Sequence, residues 1–357
     1  MSLEMILSRL TRFVWLWPML VGAAFFSSGC GSSAQPARSV FDISPKERVL
    51  YERLLEQADG KVRYAESFDL TKLAMREIWP ENPEQVRTIL FFIHGTSAQS
   101  RLYLPLADTL KNHGIATVLL DLRGHGLSGG RRGHAPGIDA LVRDVRIALD
   151  TIRHAYPGKN IVLGGHSLGA GLCVKFVEFF HERPSLYTRP DGMVLMSGGF
   201  IPNENCDSAE VRRVSQRQEG RSFANVNGWG LAAFLPAAYL DLHPRAIEVV
   251  LPNDSLVTKA LQENLLTVNY SLQFFLASFP FQPKQTFRHI DFPILMLLGK
   301  DDELLKTCDA KYTYERAKSK VKDLYLLSET NHINIIWHSA LAIADWLNQN
   351  ISNSEKP

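Results

Sequence analysis

Gly165-His166-Ser167-Leu168-Gly169 constrains this chain more than any other stretch. The short apolar run Asn160–Gly164 precedes it, and Ala170–Glu178 follows with helical spacing. A G-x-S-x-G sequence between a strand and a helix puts its serine at the tip of a strained turn, where the hydroxyl is exposed. The flanking glycines let the turn close and let another backbone pass close by. The bare pattern also occurs in ordinary Gly/Ser loops. The strand before and the helix after are what single out Ser167 as a nucleophile.

The rest of the chain repeats that strand–helix rhythm. Continuous apolar runs at Thr88–Ile93, Ala116–Leu120, Gly192–Met196, Pro293–Leu298 and Leu324–Leu327 read as strands buried on both faces. Helices are expected over 44–58, 103–113, 138–156, 168–182, 307–318 and 334–349, and two antiparallel strands over 61–68 and 72–79. Such alternation implies a mostly parallel sheet with helices on both faces. Residues 200–286 break it and are expected to form a mainly helical insertion. Within it, Leu256, Ala260, Leu261, Leu265, Val268, Leu272, Phe275 and Phe279 read as one helical stripe, capped by Asn253-Asp254-Ser255. The core segments are then 44–199 and 287–350, with a short tail at 351–357.

The first residues stand apart from the fold. Arg9 and Arg12 precede the apolar run Phe13–Phe26, a length that suits a secretion signal over 1–29 better than a membrane span. Ser27-Ser28-Gly29-Cys30 follows and resembles the lipobox of bacterial lipoproteins, with Ser27 where an aliphatic residue is usual. That resemblance implies lipidation of Cys30, a membrane anchor and a tether over 30–43. It places the protein in the cell envelope, towards the outer membrane because Gly31 offers no inner-membrane retention signal. Ordinary cleavage near Ser32-Ser33-Ala34 and an uncleaved anchor are the alternatives. Charge argues against a nucleic-acid partner: 39 basic side chains against 37 acidic leave no electrostatic footprint. Cys173 falls in the helix after Ser167 and reads as a small core residue. The Cys206–Cys308 pairing is left open, because spacing does not determine it.

A serine hydroxyl needs a base within hydrogen-bond reach and a third group to hold that base. Both belong at the carboxyl ends of parallel strands. Asp301 and Asp302 follow the strand ending at Leu298, and His332 follows the strand ending at Leu327. The order Ser, Asp, His is that of strand–turn–helix serine hydrolases. His94-Gly95-Thr96 ends another strand, so the Thr96 and Leu168 backbone N–H groups are the expected oxyanion donors. His94 and His125 sit in glycine-flanked turns and are expected to brace loops. His166 reads as the variable residue of the motif, and His338 as a packed or solvated helix residue. His134 and Asp139 match the H-x4-D pattern of glycerolipid acyltransferases, a coincidence in a chain with 11 histidines.

Together these segments, with Asp121–Gly133, Asp139–Asp144 and Gly299-Lys300-Asp301-Asp302, resemble the monoacylglycerol lipase and lysophospholipase branch of the α/β-hydrolases, also grouped as serine aminopeptidase-like. The resemblance covers roughly residues 60–348. It implies an α/β-hydrolase fold, a roughly eight-stranded, mostly parallel sheet, and a lid at 200–286 over an acyl pocket. Its Gly-x-x-Asp spacing selects Asp302 over Asp301. It implies a small-molecule lipid ester substrate and no metal or organic cofactor. Phe223, Trp229, Phe234, Tyr239, Phe274, Phe275, Phe279 and Phe281 make the lid apolar, and some are expected to line the pocket. Arg212, Arg213, Arg217 and Arg221 read as a solvated helical face or a contact for anionic lipid. The rival readings are a peptidase, with Glu204, Asp207, Glu210 or Asp241 holding a substrate amine, and a non-catalytic lipoprotein scaffold.

Overall fold

A computed structural model describes residues 35–36, 43–57, 61–218, 221–222, 224–226, 245–251, 255–263 and 265–352. Helix α1 (Pro45–Glu56) opens the body behind a capping box: Ser44 Oγ accepts from Glu47 N–H, and the Glu47 carboxylate accepts from Ser44 N–H. The core then runs β1 (Val62–Glu66), β2 (Lys72–Ile78), β3 (Thr88–Ile93), α2 (Leu104–Asn112), β4 (Ala116–Leu120), α3 (Ala140–Ala155), β5 (Asn160–His166), α4 (Leu168–Glu182) and β6 (Gly192–Met196).

After β6 come α5 (Ser208–Gln218), β7 (Ala224–Val226), β8 (Arg245–Val249), α6 (Ser255–Gln262), β9 (Asn269–Ser271) and α7 (Leu272–Ser278). The core resumes with β10 (Ile294–Gly299), α8 (Thr307–Arg316), β11 (Lys322–Leu327), α9 (Ile335–His338) and α10 (Ala340–Leu347).

Eight strands form one sheet in the order β11-β10-β6-β5-β3-β4-β2-β1. From β11 to β4 all pairs are parallel, and β2 runs antiparallel to both its neighbours. The side chains of β3 alternate between two cores, as the two-residue period of a strand requires. Ile89, Phe91 and Ile93 face α3 and α4, while Leu90 and Phe92 face α2 and α10. This burial on both faces is why β3 to β6 read as unbroken apolar runs.

Among its described residues the segment 200–286 carries more helix than strand, as expected of a helical insertion, but it also holds strands that the sequence pattern does not announce. Its described part holds a three-stranded antiparallel sheet, β9-β8-β7, beside short helices. The long apolar stripe is not one helix: α6 ends at Gln262, and the chain is extended before α7 begins. The reason is tertiary. Val268 O accepts from Val249 N–H, Thr267 Oγ1 donates to Gly124 O, and Ser271 N–H donates to Gly133 O. Ser271 then caps α7 through Phe274 N–H. These bonds, two of them to a core loop, outweigh a helical periodicity that carries only local preference.

Cys206 and Cys308 form a disulfide, which closes the pairing left open by their spacing. It ties the start of the insertion to the first turn of α8. Cys173 is a buried free thiol, as expected of a core residue. The leader, Cys30 and most of the tether lie outside the described residues, as do the Asn253-Asp254 end of the expected helix cap, Phe223, Trp229, Phe234, Tyr239 and Asp241. Among the described residues no helix is long and apolar enough to cross a membrane.

Candidate active site

The turn after β5 explains the sequence pattern atom by atom. Ser167 has φ 53°, in the left-handed region where an L residue is strained. A Cβ at position 165 would lie 2.4 Å from the Gly169 carbonyl carbon, and one at 169 would lie 2.3 Å from Ile93 O. Both positions therefore need glycine. The strain is held by pairing on both sides: Ser167 N–H donates to Met196 O, and Ser167 O accepts from Gly171 N–H.

Ser167 Oγ lies 3.0 Å from His332 Nε2, and His332 Nδ1 lies 2.9 Å from Asp302 Oδ2. The three come from the ends of β5, β10 and β11 as the sequence implies. His332 and Asp302 are only 4% and 1% exposed, so their interaction is little screened by solvent. Burial alone would lower the His332 pKa. The Asp302 carboxylate, aided by Glu303, outweighs it and holds the imidazole above its usual range. Burial would likewise raise Asp302, but His332 and the N–H groups of Leu304 and Leu305 hold it below the ordinary carboxylate value. The arrangement keeps His332 Nε2 facing the serine as an acceptor, with the proton on Nδ1.

Asp301 has a different environment. It is half exposed and pairs with Arg217 at 2.6 Å. Arg213 pairs with Glu210, whose carboxylate also takes the N–H and hydroxyl of Thr307. Two of the four lid arginines are thus engaged within the protein.

His166 corrects its reading as a variable neighbour. Its Nε2–H donates to His332 O at 2.8 Å, and its Nδ1 accepts from the Tyr103 hydroxyl at 2.9 Å. Tyr103 in turn accepts from Gly95 N–H. Burial drives the His166 pKa down to about 3, so it stays neutral and keeps this donor–acceptor polarity. His166 therefore links the serine turn, the His332 loop and the Thr96 loop. No local pattern marks Tyr103 for this work; only its place a turn beyond His94-Gly95-Thr96 could have hinted at it.

The braces expected of His94 and His125 are present. His94 Nδ1–H donates to Gly95 O while Nε2 accepts from Leu122 N–H. The Asp121 carboxylate accepts from Ser100 and Leu127 N–H, and Arg123 makes a buried pair with Asp144. His134 is spent on Ser271 Oγ, and His338 lies against Glu47 and Thr330.

A cavity of about 410 Å³ reaches Ser167. Thr96 lines it beside the serine, and Leu168 begins α4 directly after it. Among the described residues its apolar wall is mostly aliphatic, with Leu55, Leu102, Leu251, Val257, Leu265 and Leu266, joined by Tyr51 and Tyr103. Of the lid aromatics expected to line it, Phe274, Phe275, Phe279 and Phe281 are absent from the wall, and Phe223, Trp229, Phe234 and Tyr239 lie outside the described residues. Phe274 is instead fully buried in the core beneath it. Glu204, Asp207 and Glu210 do not line it either.

A serine on a strand–helix elbow, relayed to histidine and aspartate at the ends of a mostly parallel sheet, defines an α/β-hydrolase. More narrowly, the chain belongs to the serine aminopeptidase S33 family (Hydrolase_4), whose sequence profile matches residues 84–335. It is a serine hydrolase. It is 29% identical over 250 residues to the monoglyceride lipase of Mus musculus, covering 69% of this chain and 76% of that protein. The Homo sapiens monoglyceride lipase is 27% identical over 251 residues, with the same coverage. Among solved structures, a soluble variant of monoglyceride lipase from Saccharomyces cerevisiae shares the fold, with TM-score 0.56, 17% identity, and coverage of 82% of this chain and 97% of that one. The Paleococcus ferrophilus monoacylglycerol lipase superposes with TM-score 0.51 and 20% identity, over 78% and 99% of the two chains.

Proposed function

We propose that this protein is a lipid-anchored carboxylic ester hydrolase acting on single-chain lipids, monoacylglycerols or lysophospholipids. Ser167 Oγ attacks the ester carbonyl while His332 Nε2 takes its proton. Asp302 orients the imidazole and stabilises the imidazolium. The Thr96 and Leu168 N–H groups receive the developing oxyanion. His332 then returns the proton to the departing alcohol, leaving acyl-Ser167. Water, deprotonated by the same imidazole, releases the fatty acid and restores the serine.

The observation that carries this reading is the aliphatic cavity ending at Ser167. Its volume falls in the range of about 300–1,000 Å³ usual for small-ligand sites. The likeness to monoglyceride lipases points the same way. The Cys206–Cys308 disulfide suits an oxidising compartment, in line with export and lipidation of Cys30. We place the protein in a bacterial cell envelope, tethered to the membrane that holds its substrates.

The test is a panel of monoacylglycerols, lysophospholipids and p-nitrophenyl acyl esters on the purified protein, beside Ser167→Ala. The substitution is expected to lower kcat on the order of 10⁶-fold and to abolish fluorophosphonate labelling. A Ser167→Ala protein that keeps its esterase activity would refute the mechanism. Among the described residues, Glu52, Glu56 and Glu263 at the cavity wall give the peptidase reading a foothold. Faster turnover of aminoacyl p-nitroanilides than of acyl esters would favour it.

A further inference from the structure

The amides on both sides of Thr96 are held by tyrosine hydroxyls from opposite parts of the molecule. Gly95 N–H donates to Tyr103 Oη at 2.9 Å, from within the core. Ser97 N–H donates to Tyr270 Oη at 2.7 Å, from β9 of the inserted segment. Ser97 has φ 60°, a conformation an L residue keeps only when its surroundings impose it. Tyr270 is fully buried, so its hydroxyl has no water to fall back on.

The Tyr270 hydroxyl is itself fixed. Its proton goes to His125 Nε2 at 2.8 Å, while His125 Nδ1–H donates to Arg123 O at 3.0 Å. Burial keeps His125 neutral, well below its ordinary pKa, so Nε2 stays an acceptor. Each hydrogen-bonding atom in the relay then has one consistent role. The backbone beside Tyr270 is clamped to the core loop by Ser271 N–H to Gly133 O. The same stretch of chain, at Leu265 and Leu266, walls the cavity.

We propose that Tyr270 is a positioning residue through which the insertion sets the Thr96 amide, so that the oxyanion site is complete only with the insertion seated on the core. The proposal rests on the reading of Thr96 as an oxyanion donor. Losing a whole oxyanion donor costs on the order of 10²–10³-fold in kcat, so misdirecting one is expected to cost about tenfold.

The experiment compares Tyr270→Phe with Thr267→Val in the full protein. Thr267→Val removes a buried bond between the same segments without touching the Thr96 loop, so it reports general loosening. Tyr270→Phe is expected to lower kcat about tenfold with KM within about twofold. The affinity for an alkylboronic acid, whose tetrahedral serine adduct occupies the oxyanion site, should fall in parallel. Thr267→Val should leave both within about twofold. Equal effects in the two variants, an unchanged kcat in Tyr270→Phe, or a lowered kcat with unchanged boronate affinity would each overturn the inference. Fluorophosphonate labelling separates the two levels. Wild type that labels at Ser167, with kcat unchanged in Tyr270→Phe, overturns this proposal alone. Wild type that does not label overturns the serine mechanism, and this proposal with it.

Discussion

The two ends of the cavity are built on different terms. At its floor, Ser167, His332 and Asp302 stand at the carboxyl ends of parallel strands of one sheet, and His332 and Asp302 are buried with their polar atoms paired. At its mouth the wall comes from α1 and from 251–266, with exposed Glu52, Glu56, Lys259 and Glu263 around aliphatic side chains. Helix α1 precedes the 84–335 region that defines the family. Strand register sets the floor, so its geometry follows from the fold. The mouth is assembled from segments attached to the fold, so it is free to select a substrate.

The sharpest way to break the comparison is at the floor. Asp302→Asn leaves the shape intact but lets His332 adopt the wrong tautomer, with an expected loss of about 10⁴-fold in kcat. Asp301→Asn, which removes only the partly exposed pair with Arg217, is expected to stay within about twofold, because such surface pairs contribute about 0–1 kcal/mol. The same pair of variants has a pH signature. His332 accepts the serine proton only when neutral, so activity is present above its pKa and lost as pH falls through it. Asp302 raises that pKa, which puts the acid limb of kcat/KM above the ordinary histidine value of about 6.5. In Asp302→Asn, burial is unopposed by the carboxylate, and the limb should move to lower pH. A limb that does not move would mean that another group titrates there.

A smaller effect is expected where floor and mouth are joined. The Cys206–Cys308 disulfide links residues 102 apart, between the start of the insertion and the helix that follows the Asp302 loop. A loop of that length gives a large chain-entropy restraint on the unfolded state, and removing it is expected to cost about 2–5 kcal/mol. Thermal melts of Cys206→Ser/Cys308→Ser against wild type, with and without reductant, measure it. The expected result is a lowered, reductant-insensitive Tm with kcat largely kept. An unchanged Tm would show that the insertion holds to the core by packing alone.

What the sequence discloses follows the same division. The strands are legible because burial on both faces writes itself as an apolar run, as in Thr88–Ile93. Ser167 and His332 are legible because each closely follows such a strand, whereas position alone leaves Asp301 and Asp302 open and the Gly-x-x-Asp spacing of the resemblance selects Asp302. Tyr103, His166 and Tyr270 carry no local mark. Their partners lie in other elements, and a tyrosine that donates to a histidine looks in sequence like any core aromatic. The stripe from Leu256 to Phe279 misled for a related reason: its spacing fits a helix, while Thr267, Tyr270 and Ser271 spend their polar groups on a loop more than a hundred residues earlier. Cysteine spacing says nothing about pairing, so Cys206–Cys308 emerges only in three dimensions.

The mouth makes the smallest and most selective prediction. Leu55 lies on α1, which packs on α2 through Leu54 and Leu104. Its side chain is half-buried and lines the cavity together with Leu265 and Leu266. Leu55→Trp fills space there without touching the floor. Discrimination by one or two methylenes in an apolar pocket is worth about 1–3 kcal/mol, so kcat/KM for long-chain esters should fall about tenfold while short-chain esters hold. A chain-length series of p-nitrophenyl esters reads this directly. A uniform loss across the series would mean that α1 supports the fold and not the choice of substrate. A loss confined to long chains would show that a helix outside the family-defining region decides how much of an acyl chain reaches Ser167.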